Sequence, residues 1–381
     1  MVELKRCSKC VLPETQDAIT FDENGVCMVC KQSGVKESID WKAKKKELDE
    51  LVAEYRGKAD YDCLIPFSGG KDSTFTAYYL MKNYDLNPLL ITFDHGFMRP
   101  TMRQNVEHVV KQLGVDHLTF KPDWNVVKKV MYESLKRKGD FCWHCHCGIF
   151  AFPMRVAAKF KVPLIFWGEK STEYMAYYGY DEDEEVDERR FNRYTNLGIT
   201  AEDMVGMVEG LTLKDLQAFT YPKLEELKAL KYRSVCLGSY IPWDARKQTE
   251  MIKKELGWKT ETVEGVPGIY DYDKIECMVE GVRDWLKYIK RGFGRTAHLA
   301  SVDIRNGRMT RKQAMEYLKE FDGKRPASLD YFLEIMGMTE DEFMGLALKN
   351  VVSPWAFSKE DAKKAKRGKE LWDQKQWDRT R

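Results

Sequence analysis

Residues 68–74, Ser-Gly-Gly-Lys-Asp-Ser-Thr, bring two glycines, a lysine, a carboxylate and three hydroxyls into one short stretch. That set is suited to holding an anion. A glycine pair lets backbone N–H groups approach an oxyanion closely, and Lys71 adds a full positive charge. A helix starting here would add the partial charge of its N-terminus. The apolar run 62–67 reads as a buried strand and 73–83 as a helix, so the glycines mark a strand-to-helix turn. The GxxxxGK[ST] spacing of a Walker A loop is absent. The plain alternative is a glycine turn that only packs a helix on a sheet.

Four cysteines offer a second chemistry. Cys7 and Cys10 form one Cys-x-x-Cys pair and Cys27 and Cys30 another, with sixteen residues between them. The spacing fits a tetrahedral Zn2+ site of two knuckles, and Asn24-Gly25 supplies a hairpin turn just before the second. Residues 1–40 cannot bury enough apolar surface to fold alone. Bound metal would contribute the missing free energy, roughly 10–16 kcal/mol in units of this kind. With sulfur in all four positions the role is structural; cysteines that bind nothing are the alternative.

The elements that must position these residues alternate along the chain. Strands are expected at 88–93, 117–120, 162–167 and 233–239, and helices at 102–113 and 125–137. This predicts an α/β fold with a doubly wound, mostly parallel sheet. Ligands of such sheets sit beyond the carboxyl ends of the strands. Phe93 and Asp94 end one strand, and Gly168, Glu169 and Lys170 end another. Tyr240, Trp243 and Asp244 follow a third and should face the same cleft. Arg246 could meet a diphosphate or a carboxylate there, with a surface salt bridge as its alternative.

The loop resembles the SGGxDS motif of the PP-loop ATP pyrophosphatases, which release AMP and pyrophosphate. Nearly end to end, the chain is similar to the N-acetyl sugar amidotransferases of bacterial surface-polysaccharide biosynthesis. The carriers are the paired cysteine knuckles, PFSGGKDST, TFDHG, CWHCHCG, FWGEKSTEY, GSYIPWD and DIRNGRMTR. The resemblance implies a PP-loop (adenine nucleotide alpha hydrolase-like) domain at 41–260, between the zinc module at 1–40 and a helical region at 261–381. It implies ATP, Mg2+ and Zn2+, with Lys71, Asp72 and Glu169 catalytic. Ser68, Gly69, Gly70, Lys71, Asp72, Ser73, Thr74, Phe93, Asp94, Gly168 and Lys170 would contact the nucleotide. The substrate would be a nucleotide-linked sugar acid whose acetamido group becomes an acetamidino group. Ammonia would come from partners resembling the glutaminase and barrel subunits of imidazole glycerol phosphate synthase. A homodimer is a further expectation.

The stretch 141–148, FCWHCHCG, is expected as a loop near the active face. Its Cys142, His144, Cys145, His146 and Cys147 could hold a second metal, or with Cys236 form the iron–sulfur site of some tRNA thiolases. The preferred reading is a substrate loop whose cysteines bind nothing. A tRNA thiolase is the enzymatic alternative for the whole chain. A net charge of +2 and a sequence pI near 7.9 speak against it, because tRNA affinity usually needs a basic protein. A nucleotide-binding scaffold without catalysis is the other alternative, opposed by the intact Lys71, Asp72 and Ser73.

The chain has 381 residues, no apolar run long enough to span a bilayer and no apolar leader, so a cytoplasmic enzyme without membrane partners is expected. No length remains for a glutaminase domain. Glu173, Tyr174, Tyr177, Tyr178 and Tyr180 could stack on uracil or sugar. The acidic run 181–188 reads as a solvated loop or a partner's docking strip, and reversing its charge tests the second reading through glutamine-dependent turnover. Helices are expected at 41–56, 270–293, 310–321, 329–338 and 339–348. Arg305 and Arg308 flank a turn from which they could reach a phosphate. The basic tail 358–381 holds Leu371, Trp372 and Trp377 as its main apolar residues.

Overall fold

The computed structural model describes residues 2–173, 179–180 and 197–368. Tyr174, Tyr177, Tyr178, the acidic run 181–188 and Leu371, Trp372 and Trp377 lie outside them. Five strands form one parallel sheet: β1 (Cys63–Pro66), β2 (Pro88–Phe93), β3 (His117–Phe120), β4 (Leu164–Trp167) and β5 (Arg233–Cys236). Their order is β3-β2-β1-β4-β5, with Ile65 opposite Leu90 and Leu64 opposite Ile165. The chain winds outward from β1 in one direction to β2 and β3 and in the other to β4 and β5. The order therefore reverses between β1 and β4, where such sheets open a ligand crevice.

Helices α1 (Met28–Glu37) and α2 (Trp41–Tyr55) precede the sheet. Within it come α3 (Lys71–Tyr84), α4 (Pro100–Leu113), α5 (Trp124–Lys138), α6 (Trp143–Phe160), α7 (Ala201–Met207) and α8 (Leu224–Ala229). After it follow α9 (Ala245–Leu256), α10 (Glu280–Arg291), α11 (Arg295–Arg305), α12 (Arg311–Phe321), α13 (Ser328–Met336), α14 (Glu340–Ala347) and α15 (Lys359–Lys364). Side chains alternate along the strands, and β1, β2 and β4 are buried on both faces, while the edge strand β3 exposes Leu118 and Thr119. Cys63, Ile65, Leu90, Leu164 and Phe166 share a core with residues of α2, α3, α4 and α9. Leu64, Leu89, Ile91 and Ile165 meet Met154 and Ala157 of α6 and Leu227 of α8. This is the expected doubly wound, parallel sheet. Beyond it, Leu286, Ile289, Phe332 and Phe343 of the C-terminal helices share a core with Leu135, Phe141 and Trp143.

Several local expectations are corrected. The loop helix starts at Lys71 rather than residue 73, so Gly70 is its N-cap. Residues 271–279 are not helical: the chain forms a short 3-10 turn at Gly268–Tyr270 after Pro267, and α10 starts only at Glu280. Strand β5 ends at Cys236, and Leu237–Ser239 is a 3-10 turn. The stretch 141–148 is not a loop: Cys142 is the N-cap of α6, and Trp143 and Cys147 are fully buried. Tertiary packing overrides the middling helix propensity of His and Cys there. Gly148 is required at that point, since a Cβ would lie 2.1 Å from the Phe93 ring.

Candidate active site

The glycine loop follows β1, at the reversal point of the sheet. Gly69 has φ +75°, and a Cβ on it would sit 2.5 Å from Val106 Cγ2, so only glycine fits. Its carbonyl accepts from Trp258 Nε1 at 2.8 Å, which pins the turn on the α9 side. Because α3 begins at Lys71, the N–H groups of Lys71, Asp72 and Ser73 form its first turn and have no intrahelical acceptor. Ser68 Oγ accepts from the Gly70 amide at 3.2 Å and lies 3.4 Å from Ser73 Oγ. Asp72 Oδ1 and Thr74 Oγ1 are buried with no hydrogen-bond partner in the structure. Unsatisfied buried polar atoms at a helix start are the kind of feature that a bound phosphate or cation would complete.

Lys71 is buried, at 6% exposure. Its Nζ lies 2.8 Å from Asp72 Oδ2 and 3.4 Å from Asp273 Oδ2. Burial alone would depress its pKa, yet the carboxylates of Asp72, Asp273 and Glu169 together hold it well above the ordinary lysine value. It stays charged. Asp273 is in turn fixed by Arg295, whose NH1 bonds its Oδ1 at 3.2 Å and its carbonyl at 2.8 Å. The same guanidinium reaches Asp284 Oδ2 at 3.0 Å and the Glu264 carbonyl at 3.1 Å. Burial would raise the Asp273 pKa, but Lys71 and Arg295 outweigh it and hold the carboxyl below its ordinary value. Asp273→Asn should therefore destabilise the protein by about 3 kcal/mol, since it breaks a buried charge pair. A lower urea midpoint at unchanged m-value checks this.

Two cavities meet at Lys71. One, of about 80 Å³, is lined by Ser68, Gly70, Lys71, Asp72, Glu169, Tyr272, Lys274 and Glu276. The other shares Lys71, Glu169 and Tyr272 and continues to Glu173, Trp243, Asp244, Arg246 and Asp303. Ser68, Gly70, Lys71 and Asp72 of the glycine loop are thus brought together with Glu169, whereas Gly69, Ser73, Thr74 and Gly168 line neither cavity. Lys170 lies behind them, donating to the Tyr180 carbonyl at 3.1 Å. Phe93 and Asp94 line neither cavity. Phe93 packs on Phe120, Phe152 and Phe219, and Asp94 is held by Arg103 at 2.9 Å and Lys121 at 3.4 Å.

Trp243 and Asp244 face the cleft as the sequence indicates, and Arg246 enters it already paired with Asp303 at 2.9 Å. Arg308 bonds Asp303 at 2.7 Å and Asp244 at 3.0 Å, while Arg305 donates to the Glu173 carbonyl at 2.8 Å. Sequence reading missed Tyr272, Asp273, Glu276 and Arg295. The signal available was the Pro267-Gly268 break before a charged Asp-Tyr-Asp-Lys stretch, which suits a loop better than a helix.

Cys7, Cys10, Cys27 and Cys30 are buried with their sulfurs within 4.8 Å of one another. The Cys7–Cys30 and Cys10–Cys27 sulfurs are 3.9 and 3.8 Å apart. Those separations match the edge of a tetrahedron with metal–sulfur bonds of about 2.3 Å. Hydrogen bonding among the four sulfurs pushes the Cys7 and Cys10 thiols down and the Cys27 and Cys30 thiols up. These four residues fit a metal. Among the described residues, Cys142, Cys145, Cys147 and Cys236 form no such cluster.

Residues 268–379 match the profile of the WbpG-like C-terminal domain of LPS biosynthesis proteins. An uncharacterized protein of Methanocaldococcus jannaschii, MJ1599, is 26% identical over 167 residues, covering 43% of this chain and 59% of that protein's length. The U34-tRNA thiolase NcsA of Methanococcus maripaludis, solved with its 4Fe–4S cluster, aligns over 83% of this chain and 90% of its own, at 14% identity and a TM-score of 0.30. The NMN synthetase of Francisella tularensis aligns over 60% of this chain and 99% of its own, at 13% identity and a TM-score of 0.28. Neither structural likeness carries a functional argument at such scores. The matched C-terminal region contains Tyr272, Asp273 and Glu276, which close the cavities at the glycine loop. Residues 268–379 of this protein are thus similar to the WbpG-like C-terminal domain of LPS biosynthesis proteins, and they follow an α/β domain built on a five-stranded parallel sheet.

Proposed function

We propose that this protein is an ATP-dependent, AMP-forming amidotransferase acting on the acetamido group of a nucleotide-linked sugar acid, such as a UDP-linked diacetamido-uronic acid. The observation that carries the reading is the junction at Lys71. A phosphate-suited loop shares Lys71, with Glu169 and Tyr272, between its own cavity and a second one walled partly by the region that matches LPS biosynthesis proteins.

In this scheme the acetamido oxygen attacks the α-phosphorus of ATP, and the bond to pyrophosphate breaks. The O-adenylyl imidate so formed is attacked at carbon by ammonia. The C–O bond then breaks, so AMP carries away the amide oxygen and the acetamidine keeps the new nitrogen. The residues do three things. Lys71, Ser68 and the first-turn N–H groups of α3 stabilise the departing pyrophosphate. Asp72, with Oδ1 free of protein partners, and Glu169 are the groups that would hold Mg2+, whose charge offsets that of the phosphates. Trp243, Tyr270 and Tyr272 wall the acceptor side. Zn2+ at the four cysteines is structural, and ammonia comes from a separate glutaminase and barrel pair.

The test is a chromatographic assay of nucleotides with ATP, Mg2+ and an ammonium salt, with sugar acid or bulk tRNA in parallel. AMP release that depends on the sugar acid is expected. Release only with tRNA would instead make the protein an RNA-modifying enzyme, and ADP would refute the assignment of the loop.

A further inference from the structure

Helix α1 starts inside the four-cysteine cluster and ends at the wall of the second cavity. Cys27 is its N-cap and Cys30 lies in its first turn, so the cluster fixes where the helix begins and which way it points. Lys36, about 9 Å further along the axis at 1.5 Å per residue, is the only basic residue in its last turn. Its ammonium pairs with the Glu173 carboxylate and donates to the Trp243 carbonyl at 2.8 Å. The Tyr180 hydroxyl donates to the same Glu173 carboxylate, and Gln32 Oε1 accepts from the Tyr180 amide at 3.0 Å. Glu173 belongs to the segment after β4 and Trp243 to the segment after β5, and both line the cavity that contains Lys71 and Glu169.

We infer that Lys36 is a positioning residue of the acceptor pocket, clamping the segment after β4 to the segment after β5. The four-cysteine module then shapes the pocket as well as stabilising itself. This rests on the acceptor reading of that cavity given above. The pair differs from an exposed ion pair, which contributes little. Its two side chains are only 18% and 11% exposed, and the ammonium also satisfies a backbone carbonyl. Without that ammonium, the Glu173 carboxylate and the Trp243 carbonyl lose the bond that joins the two walls.

Lys36→Met keeps the aliphatic stem and removes the charge, and Lys36→Arg restores donors to both partners. The full chain is compared for metal content, for hydrogen exchange over 168–173 and 240–246, and for binding of a UDP-linked diacetamido-uronic acid by calorimetry without ATP. Lys36→Met should exchange at least tenfold faster in both segments and bind the sugar acid at least tenfold more weakly. Its ATP KM should stay within twofold of wild type, its metal content should be unchanged, and Lys36→Arg should recover most of the loss. Unchanged exchange overturns the clamp, as does unchanged sugar affinity in a variant whose wild type binds. Loss of metal from Lys36→Met would make the lysine a support of the module alone and also overturns it. If the wild type binds no sugar acid, the acceptor reading fails by itself, and the exchange data still decide the clamp.

Discussion

Replacing Lys71 by methionine should lower AMP-forming turnover on the order of 10²–10³-fold, the usual effect of removing one donor aimed at developing charge. The expectation is sharpened by where the lysine sits. It is buried, held charged by Asp72, Asp273 and Glu169, and lies at the meeting point of both cavities. The same burial complicates the experiment, because losing the cation strands carboxylates and should cost about 3–5 kcal/mol of stability. The double variant Lys71→Met/Asp273→Asn separates the effects. Removing both members of the pair at 3.4 Å should recover part of the stability and none of the activity. Single-turnover AMP formation beside a urea melt reads both quantities. Activity within threefold of wild type in a folded Lys71→Met protein would remove the loop from the mechanism.

Metal removal should have the second large effect. Chelation, or Cys30→Ser, is expected to abolish ordered structure in residues 2–37, because a structural metal contributes roughly as much as an entire small domain has to spare. The consequence should not stay local. Arg311 of α12 donates to the Cys10 and Cys7 carbonyls at 3.0 and 3.3 Å, and Lys36 reaches Glu173 and Trp243. Hydrogen exchange should therefore quicken at the start of α12 and in the segments after β4 and β5. Metal analysis should give one equivalent of zinc in the wild type and none in Cys30→Ser. Full protection of residues 2–37 without metal would mean that packing against Ile304 and its neighbours suffices to fold the module.

The expected bounds of β2 and β3 match the observed strands, and those of β1 and β4 differ by one or two residues at their ends. Apolar runs between Gly, Pro and polar punctuation are a local signal, and burial on both faces makes it strong for β2, while the edge strand β3 is read from its alternation alone. The misreadings have local causes too. Residues 270–279 run into α10 with no Gly or Pro between them, and the Pro267-Gly268 break lies upstream of both. The stretch 141–148, expected as a substrate loop whose cysteines bind nothing, opens a helix instead, because its polar and sulfur-bearing residues carry no strong local helix signal. Burial against Phe93 and Ile199 decides the matter, with Trp143 Nε1 donating to the Ile199 carbonyl at 2.9 Å.

By itself the sequence determined the glycine turn between β1 and α3, the spacing of the four clustered cysteines, the alternation that builds a parallel sheet, and Glu169 just after β4. All of these are encoded in contiguous residues or fixed spacings. Only the tertiary structure decided what surrounds Lys71. Asp273 and Arg295 lie some two hundred residues away in sequence, and Lys36 reaches partners 137 and 207 residues distant. It also withdrew Phe93 into an aromatic core and tied Asp94 to Arg103. Charge pairing across such separations depends on how helices settle on the sheet. No local pattern carries that information, because many carboxylates and lysines along the chain are chemically equivalent until packing buries a few of them together.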